Sequence, residues 1–596
     1  MKVIIVRRVI MRRILGVLGL TLALALTLTL NGEAAAPPAP EDATKAGDRF
    51  TLNSVKTLAD LQRLETRIKF VVDRVTPSVV GLGGGSGVIV SRDGTILTVA
   101  HVGSKAGRDI TLIFHDGKKA KGKTLGNWAG IDAGMAQITE PGNWPNVEMG
   151  KSMTVKPGNW VITMGYPVSF NKGQRPPVRV GRVLRVTPTA ITTDCPMMGG
   201  DSGGPIFDMD GRVIGQNSRT AGGITGNVHV PIDVYLNNWS RMMRGEDWGT
   251  AMPSGRRSDE DEEDSQYVAA APPARPTPTK PRVIRSGPNE RNNDEVRQAF
   301  REATQPYARS TVRILGDDKP IALGTIVTAN GLIVTKASQL KGRIEVRLHD
   351  GTLLRATKVG EDKESDFAVL RVEATALTPV RWRTADVVPT GNLVAAVGEA
   401  GEALAVGTVT SEPRQFRVTE RPAAPATQPY LGVQVEEVKD GLRLRSITSG
   451  SAAEKAGLKV GDIVRRVGEA MIKAPDDLRN AISKRKIGEP LPLLIRRGTA
   501  EEEFSPLLGK MDATAAAPPY DRWGGGPFSD RRFGFGKVLP HDTYLNPIDM
   551  GGPIVDTSGQ VVGVNIARSL RISTYALLPA DVERLVAKLT AKPSAE

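Results

Sequence analysis

The stretch Gly87-Val88-Ile89-Val90-Ser91-Arg92-Asp93-Gly94-Thr95-Ile96-Leu97-Thr98-Val99-Ala100-His101 returns in the second half of the chain as Gly324-Thr325-Ile326-Val327-Thr328-Ala329-Asn330-Gly331-Leu332-Ile333-Val334-Thr335-Lys336-Ala337-Ser338. The match continues from Phe114-His115-Asp116-Gly117 to Leu348-His349-Asp350-Gly351, from Gly158-Asn159-Trp160-Val161 to Gly391-Asn392-Leu393-Val394, and from Val180-Gly181-Arg182-Val183 to Val406-Gly407-Thr408-Val409. A chain that repeats itself in this order is two copies of one structural unit. From Val79 to about Arg244 the first copy is a series of short β-rich runs broken by Gly, Asp and Asn turns, which predicts two packed antiparallel barrels.

The chemistry of the first copy gathers at Gly199-Gly200-Asp201-Ser202-Gly203-Gly204-Pro205. A serine hydroxyl is a weak nucleophile at neutral pH and needs a base within hydrogen-bond reach, with donors for the oxyanion it generates. Glycines around Ser202 let the backbone curl so that the N–H groups of Gly200 and Ser202 point at one spot. The base is expected at His101, at the end of an apolar run, and the orienting carboxylate at Asp132 in Gly130-Ile131-Asp132-Ala133. The bland alternatives are a glycine-rich turn, a structural histidine and a turn aspartate. The order His, Asp, Ser separates this set from two other hydrolase arrangements that use the same three residue types.

Residues 76–245 resemble the HtrA (Do-like) serine proteases of the trypsin-like fold, on Thr76-Pro77-Ser78-Val79-Val80, Gly85-Ser86-Gly87-Val88-Ile89-Val90, Asp93 to His101, Asp116-Gly117, Gly165-Tyr166-Pro167 and Gly200 to Ile206. The resemblance implies a mainly β protein with a chymotrypsin-like double β-barrel, serine endopeptidase activity on unfolded or damaged polypeptides, and no metal or cofactor. One departure is Cys195-Pro196-Met197-Met198-Gly199, where the family has a variant of Ala-Ala-Ile-Asn-Pro; this stretch borders the primary specificity pocket, so the family's side-chain preference does not carry over. The rival class is a non-catalytic chaperone or scaffold that binds peptide C-termini.

The second copy, residues 295–420 and 530–592, resembles a further double barrel of the same type without its chemistry. Ser338 takes the place of the base, Asp366 keeps the carboxylate and Met550 takes the place of the nucleophile, which predicts an inactive module. The only other histidines in this copy are His349 and His541. Between its two pieces, residues 428–498 resemble a PDZ domain, on Tyr430-Leu431-Gly432-Val433, Gly450-Ser451-Ala452-Ala453, Ala456-Gly457-Leu458 and Val460-Gly461-Asp462-Ile463-Val464, with a helix near Asp476 to Lys484 and a strand at Leu491 to Arg496. In such a domain the Tyr430–Val433 loop aims backbone N–H groups at a peptide carboxylate, and the adjoining strand takes the peptide as an extra strand.

Residues 1–36 read as a signal peptide, with Arg7, Arg8, Arg12 and Arg13 before an apolar stretch from Ile14 to Leu30 and Ala34-Ala35-Ala36 as a cleavage region. Export to the periplasm or exterior is expected, with an uncleaved membrane anchor at residues 14–30 as the alternative. Residues 37–75 comprise a flexible segment and an amphipathic helix starting near Leu52, which either supports a homo-oligomer, a trimer by resemblance, or packs on the barrel. Residues 246–294, with the acidic run Ser258 to Ser265 and the Pro-rich Ala271 to Pro278, read as a linker. Net charge is +14, but Lys and Arg are spread along the chain without a stacking-aromatic motif, so no nucleic-acid partner is expected. Cys195 is the single cysteine, which excludes an internal disulfide; it is expected as a buried small residue, with a second nucleophile as the alternative. His229 is expected either in the substrate cleft or as a structural histidine. A C-terminal helix of the first module is expected near Val234 to Met243.

Overall fold

The computed structural model describes residues 54–167, 172–221, 223–250, 286–384, 388–415, 429–448, 450–472, 474–510 and 524–591. The signal, the acidic and Pro-rich runs and the segment 423–427 lie outside the described residues. The chain forms two compact units, one of residues 1–415 with 527–596 and one of 416–526. Among the described residues no helix is long and apolar enough to cross a membrane.

The larger unit begins with a helix at Leu58–Val75, shorter than the apolar periodicity suggests because Thr57 and Asp60 form a capping box that starts it. Leu61, Leu64, Ile68, Val71, Val72 and Val75 form its buried face. That face is covered within the same chain: Glu65 accepts from the Leu393 N–H (2.9 Å) and the Thr557 hydroxyl (3.0 Å), and Arg67 donates to Met209 O and Asp210. Of the two roles expected for the helix, packing within the chain is the one this arrangement supplies.

The first module is a pair of barrels. One is made of Val79–Gly81, Ser86–Ile89, Thr95–Thr98, Asp109–Ile113, Lys119–Trp128 and Ala133–Ile138, closed by pairing of the last two. In Lys119–Trp128 exposed lysines alternate with buried Ala120, Gly122 and Thr124, the period of a strand with one face in a core. The second barrel closes through Trp160–Met164, Val178–Val186, Ile191–Thr193, Pro205–Phe207, Val213–Thr220 and Asn227–Pro231. The helix expected near Val234 to Met243 is two short helices, Ile232–Asn237 and Trp239–Met243, parted by the non-helical backbone of Asn238.

The second module repeats this design. Six strands from Thr311–Gly316 to Phe367–Val372 close a barrel; Leu393–Val397, Ala403–Thr408 and Arg414–Gln415 then form a sheet with Lys537–His541, Pro553–Asp556, Val561–Leu570 and Ser573–Leu577. The chain therefore leaves the module after Gln415, builds the smaller unit and returns. The repeat holds at the level of single hydrogen bonds. Ser86 N–H donates to Ser202 O (2.8 Å), as Leu323 N–H does to Met550 O (2.9 Å). Thr98 and Thr335 hydroxyls donate to Ser86 O (2.8 Å) and Leu323 O (2.6 Å). Gly203 and Gly551 both have positive φ (81° and 92°), each so close to its threonine hydroxyl that no side chain fits.

The segment read as a linker is shorter than 246–294. Asp247–Trp248 adds a parallel strand to Asn127–Trp128. At the other end Arg291 is buried between the modules: its N–H meets Asp194 Oδ2 (2.5 Å), and its guanidinium meets Val180 O (2.6 Å) and Asp542 Oδ2 (2.6 Å). Asp194 and Asp542 are repeat mates, accepting from the backbone N–H of Arg182 and Thr408, both at 2.6 Å.

The smaller unit has a sheet running from Val433–Val438 at one edge through Gly441–Ile447, Ile463–Val467 and Leu493–Arg497 to Ala500–Phe504, around a core of Leu431, Leu442, Leu444, Leu478, Leu493 and Ile495. It extends past the expected end at residue 498, because Ala500–Phe504 completes the sheet and Gly509–Lys510 pairs with Pro429–Tyr430.

Candidate active site

Strand Thr95–Thr98 delivers His101 through a single helical turn, Ala100–Gly103, and the Ala100 N–H donates to Asp132 O (3.2 Å). Asp132 has positive φ (68°), a conformation unfavourable for an L-residue, and it places the carboxylate against His101. His101 Nδ1 lies 3.0 Å from both Asp132 oxygens, and its backbone N–H donates to Oδ1 (3.1 Å). A carboxylate only accepts, so Nδ1 carries the proton and Nε2 is the free lone pair. The Ser218 hydroxyl donates to Asp132 Oδ2 (2.6 Å). The hydrogen bond that His101 donates to Asp132, and then the Asp132 charge, raise the His101 pKa above its ordinary value, against burial. His101 is half exposed, so its outer edge is open to a reactant.

Ser202 sits on the turn before strand Pro205–Phe207, and Gly85 is wedged between Ser202 O and the Val102 side chain, next to His101. Among the described residues its hydroxyl makes no hydrogen bond to His101; the structure brings His101 and Asp132 into contact and leaves Ser202 beside them. The loop is fixed from below. Asp201 is fully buried, paired with fully buried Arg179 (2.6 Å) and accepting from the Met198 N–H (3.0 Å). Burial pushes the Asp201 carboxyl up, and Arg179 pulls against it. Asn217 brackets the turn, its carbonyl accepting from Gly203 N–H and its amide donating to Asp201 O (2.7 and 3.3 Å). Gly200 has φ of 94°, and its carbonyl accepts from Ser86 Oγ (2.9 Å). Among the described residues the N–H groups of Gly200 and Ser202 have no acceptor.

His229 is fully buried and hydrogen-bonded to Asn217 Oδ1 (2.9 Å) and Thr193 Oγ1 (2.8 Å), with its pKa lowered to about 3 by burial. It is the structural histidine of the two expectations. Cys195 is fully buried, and burial pushes its thiol up. Ser218, Asn217 and Arg179 were not singled out in the sequence. Arg179 had a signal: in the apolar run Val178-Arg179-Val180 a charged residue faces inward only if a buried carboxylate waits for it.

In the second module Asp366 keeps the positive φ (54°), and Ser338 reproduces the His101 backbone contact with an N–H to Asp366 Oδ1 (2.7 Å). The Ser338 hydroxyl donates to Asp366 Oδ2 (2.9 Å). Buried Lys336 donates to the same carboxylate and to the carbonyls of Arg531 and Ile566, both at 2.9 Å. Met550 is fully buried. In the smaller unit Gly432 has φ of 89° and packs on Ser451, and among the described residues the N–H groups of Leu431 and Gly432 have no acceptor. The loop runs into Val433–Val438, an edge strand alongside helix Pro475–Ser483.

The trypsin-like peptidase domain family matches residues 85–215 and 322–453, and the PDZ domain family matches residues 429–507. A Synechocystis protein named "Putative serine protease HhoB" is 32% identical over 341 residues, covering 41% of this chain and 79% of that protein. The chain belongs to the HtrA/Do-like serine proteases. Among other HtrA/Do-like relatives, a Pseudomonas fluorescens protein named "Probable periplasmic serine endoprotease DegP-like" is 31% identical over 219 residues, covering 34% of this chain and 45% of that protein. The chain thus spans less than half the length of that relative. The solved serine endoprotease from Yersinia pestis aligns over 75% of this chain and 98% of its own, at 14% identity and a TM-score of 0.27.

Proposed function

We propose that the protein is an exported serine endopeptidase that hydrolyses peptide bonds of unfolded polypeptides at Ser202, and that its second module is catalytically inactive. One observation carries the reading: Asp132 holds the His101 ring in the tautomer that leaves Nε2 free, beside a serine flanked by two unused N–H groups. Substrate closes the remaining gap, since such hydrogen bonds tighten on binding. Ser202 Oγ attacks the carbonyl carbon as its proton passes to His101 Nε2. The Gly200 and Ser202 N–H groups hold the oxyanion, and His101 returns the proton to the leaving amine. Water, deprotonated by His101, then releases the acyl group from Ser202. Asp132 stabilises the imidazolium formed twice in the cycle.

In the second module Met550 has no proton to give up, the Ser338 hydroxyl points at a carboxylate rather than a base, and the three Lys336 donors are engaged by Asp366, Arg531 and Ile566. The edge strand Val433–Val438 and the Tyr430–Val433 loop give the smaller unit a place for a peptide C-terminus. Export to the periplasm is supported by relatives named as periplasmic endoproteases.

The test is labelling of the protein with a fluorophosphonate probe, followed by peptide mass mapping. An adduct on Ser202 alone is expected; no adduct, or one on Ser338, overturns the reading. The pH dependence follows from His101. Only its neutral form is a base, and Asp132 raises its pKa, so activity is lost as pH falls through a midpoint that lies above 6.5, the ordinary value. A kcat/KM profile with its acid limb below 6.5 would contradict the Asp132 assignment.

A further inference from the structure

The second module touches the first at the loop between strands Val213–Thr220 and Asn227–Pro231. Strand Val213–Thr220 passes Asp132 at Ser218 and brackets the nucleophile turn at Asn217; the chain then turns and returns as Asn227–Pro231. Asn227 is fully buried and organises this turn: its amide donates to Thr193 O (3.1 Å) and Ile224 O (2.9 Å), and its Oδ1 accepts from the Met197 N–H (3.3 Å). Met197 and Met198 are the residues through which the chain enters Gly199-Gly200-Asp201-Ser202, and the next amide, Met198 N–H, is held by Asp201 (3.0 Å). Two consecutive N–H groups therefore set the path of the backbone into the oxyanion donors, and one of them hangs on Asn227.

Arg571, from the second module, holds Asn227. It lies at the tip of the hairpin between Val561–Leu570 and Ser573–Leu577, and the tip is sunk in the structure: Leu570, Arg571, Ile572 and Ser573 are all within 1% of complete burial. Arg571 Nη2 donates to Asn227 Oδ1 (2.9 Å), and Nη1 donates to Gly223 O in the same loop. The tip is itself braced, because fully buried Arg568 donates to Arg571 O (2.8 Å) and to the Thr574 hydroxyl (3.4 Å). Burying two guanidiniums at one turn is costly unless their donors find acceptors; those bonded by Arg568 lie in the same hairpin, whereas those bonded by Arg571 lie across the module boundary. Packing alone does not need that arrangement.

We propose that Arg571 is a positioning residue for the first module's site: by clamping Gly223 and Asn227 it sets, through Met197, the stretch that borders the specificity pocket and the path of the backbone that presents the Gly200 and Ser202 N–H groups. The inactive module is on this view a structural part of the active site. The inference rests on the hydrolase reading above, and its test separates the two.

The full-length protein is compared with Arg571→Ala, Arg571→Lys and, as a control that loosens the second module elsewhere, Val582→Ala in helix Pro579–Thr590. The readouts are the rate of fluorophosphonate labelling at Ser202 and kcat and KM on a peptide substrate, across pH and below the unfolding range of each variant. Arg571→Ala is expected to label at least tenfold more slowly and to raise KM, with the acid-limb midpoint unmoved because His101 and Asp132 are untouched. Arg571→Lys, a point donor that cannot meet both acceptors, is expected to fall between, and it carries the test if the alanine variant does not fold. Val582→Ala is expected to label at the wild-type rate. Wild-type labelling and KM in either Arg571 variant overturn the proposal, as does an equal loss in Val582→Ala. Absence of labelling in the wild type overturns the hydrolase reading instead.

Discussion

Ser202→Ala is expected to lower kcat for cleavage of an unfolded protein by about 10⁶-fold and to leave KM nearly unchanged, with a residue of about 10³–10⁴-fold over water from the remaining donors and binding surface. The size of the drop depends on there being no substitute nucleophile. Cys195 lies seven residues upstream, but it is fully buried with its thiol pushed up, so it forms no thiolate at neutral pH. Ser338 is bonded to Asp366 and Met550 carries a thioether, so neither of these two positions in the second module supplies a substitute. The His101–Asp132–Ser218 arrangement does not pass through Ser202, and the variant should keep its fold and its raised histidine pKa. A drop of less than about 10²-fold, one oxyanion donor's worth, would mean that a group outside this site does the chemistry. Continued suppression of aggregation by the inactive variant would show that polypeptide binding is separable from cleavage.

What could be read in advance was local. The Gly199–Pro205 loop is legible because a sharply curled backbone around a serine needs glycines at fixed offsets, and the repeat is legible because strand, turn and strand recur as contiguous text. The positive φ shared by Asp132 and Asp366 follows from that text only after the repeat has been aligned. Contacts that pair distant residues left no contiguous trace. Ser218 reaches Asp132 across 86 positions, and Arg571 reaches Asn227 across 344. Nothing in Leu332-Ile333-Val334-Thr335-Lys336 marks its last residue as buried, yet the strand carries this lysine inward to Asp366. The boundary of the linker failed for a related reason. Composition marks residues 258–278 as solvated, but it cannot mark Arg291 as the residue on which two barrels close.

Arg291→Ala is expected to destabilise the larger unit by about 3–5 kcal/mol, the range for removing one partner of a buried ion pair. The argument starts from exposure: the Arg291 side chain is 4% exposed and that of Asp542 is 0%. Asp194, on the other module, is buried as well, and burial pushes its carboxyl up with Arg291 as the largest opposing influence. Truncation leaves both carboxylates inside with backbone N–H partners only and opens a cavity between the modules, where Val180 O also loses its donor. The sign of the pH effect then separates lost charge from lost volume. Burial already holds the Asp194 carboxyl above its unfolded value of about 3.9, and the variant removes the largest influence opposing that shift, so the folded state binds this proton more tightly than the unfolded state and gains stability as pH falls toward that value. The deficit relative to wild type, measured by urea unfolding at pH 7 and pH 5, should therefore shrink at the lower pH, and Asp542→Asn in the Arg291→Ala background should recover part of it. A cavity alone would give the same deficit at both pH values, and a deficit below about 1 kcal/mol would place Arg291 among weakly held surface charges, where its burial does not allow it to be.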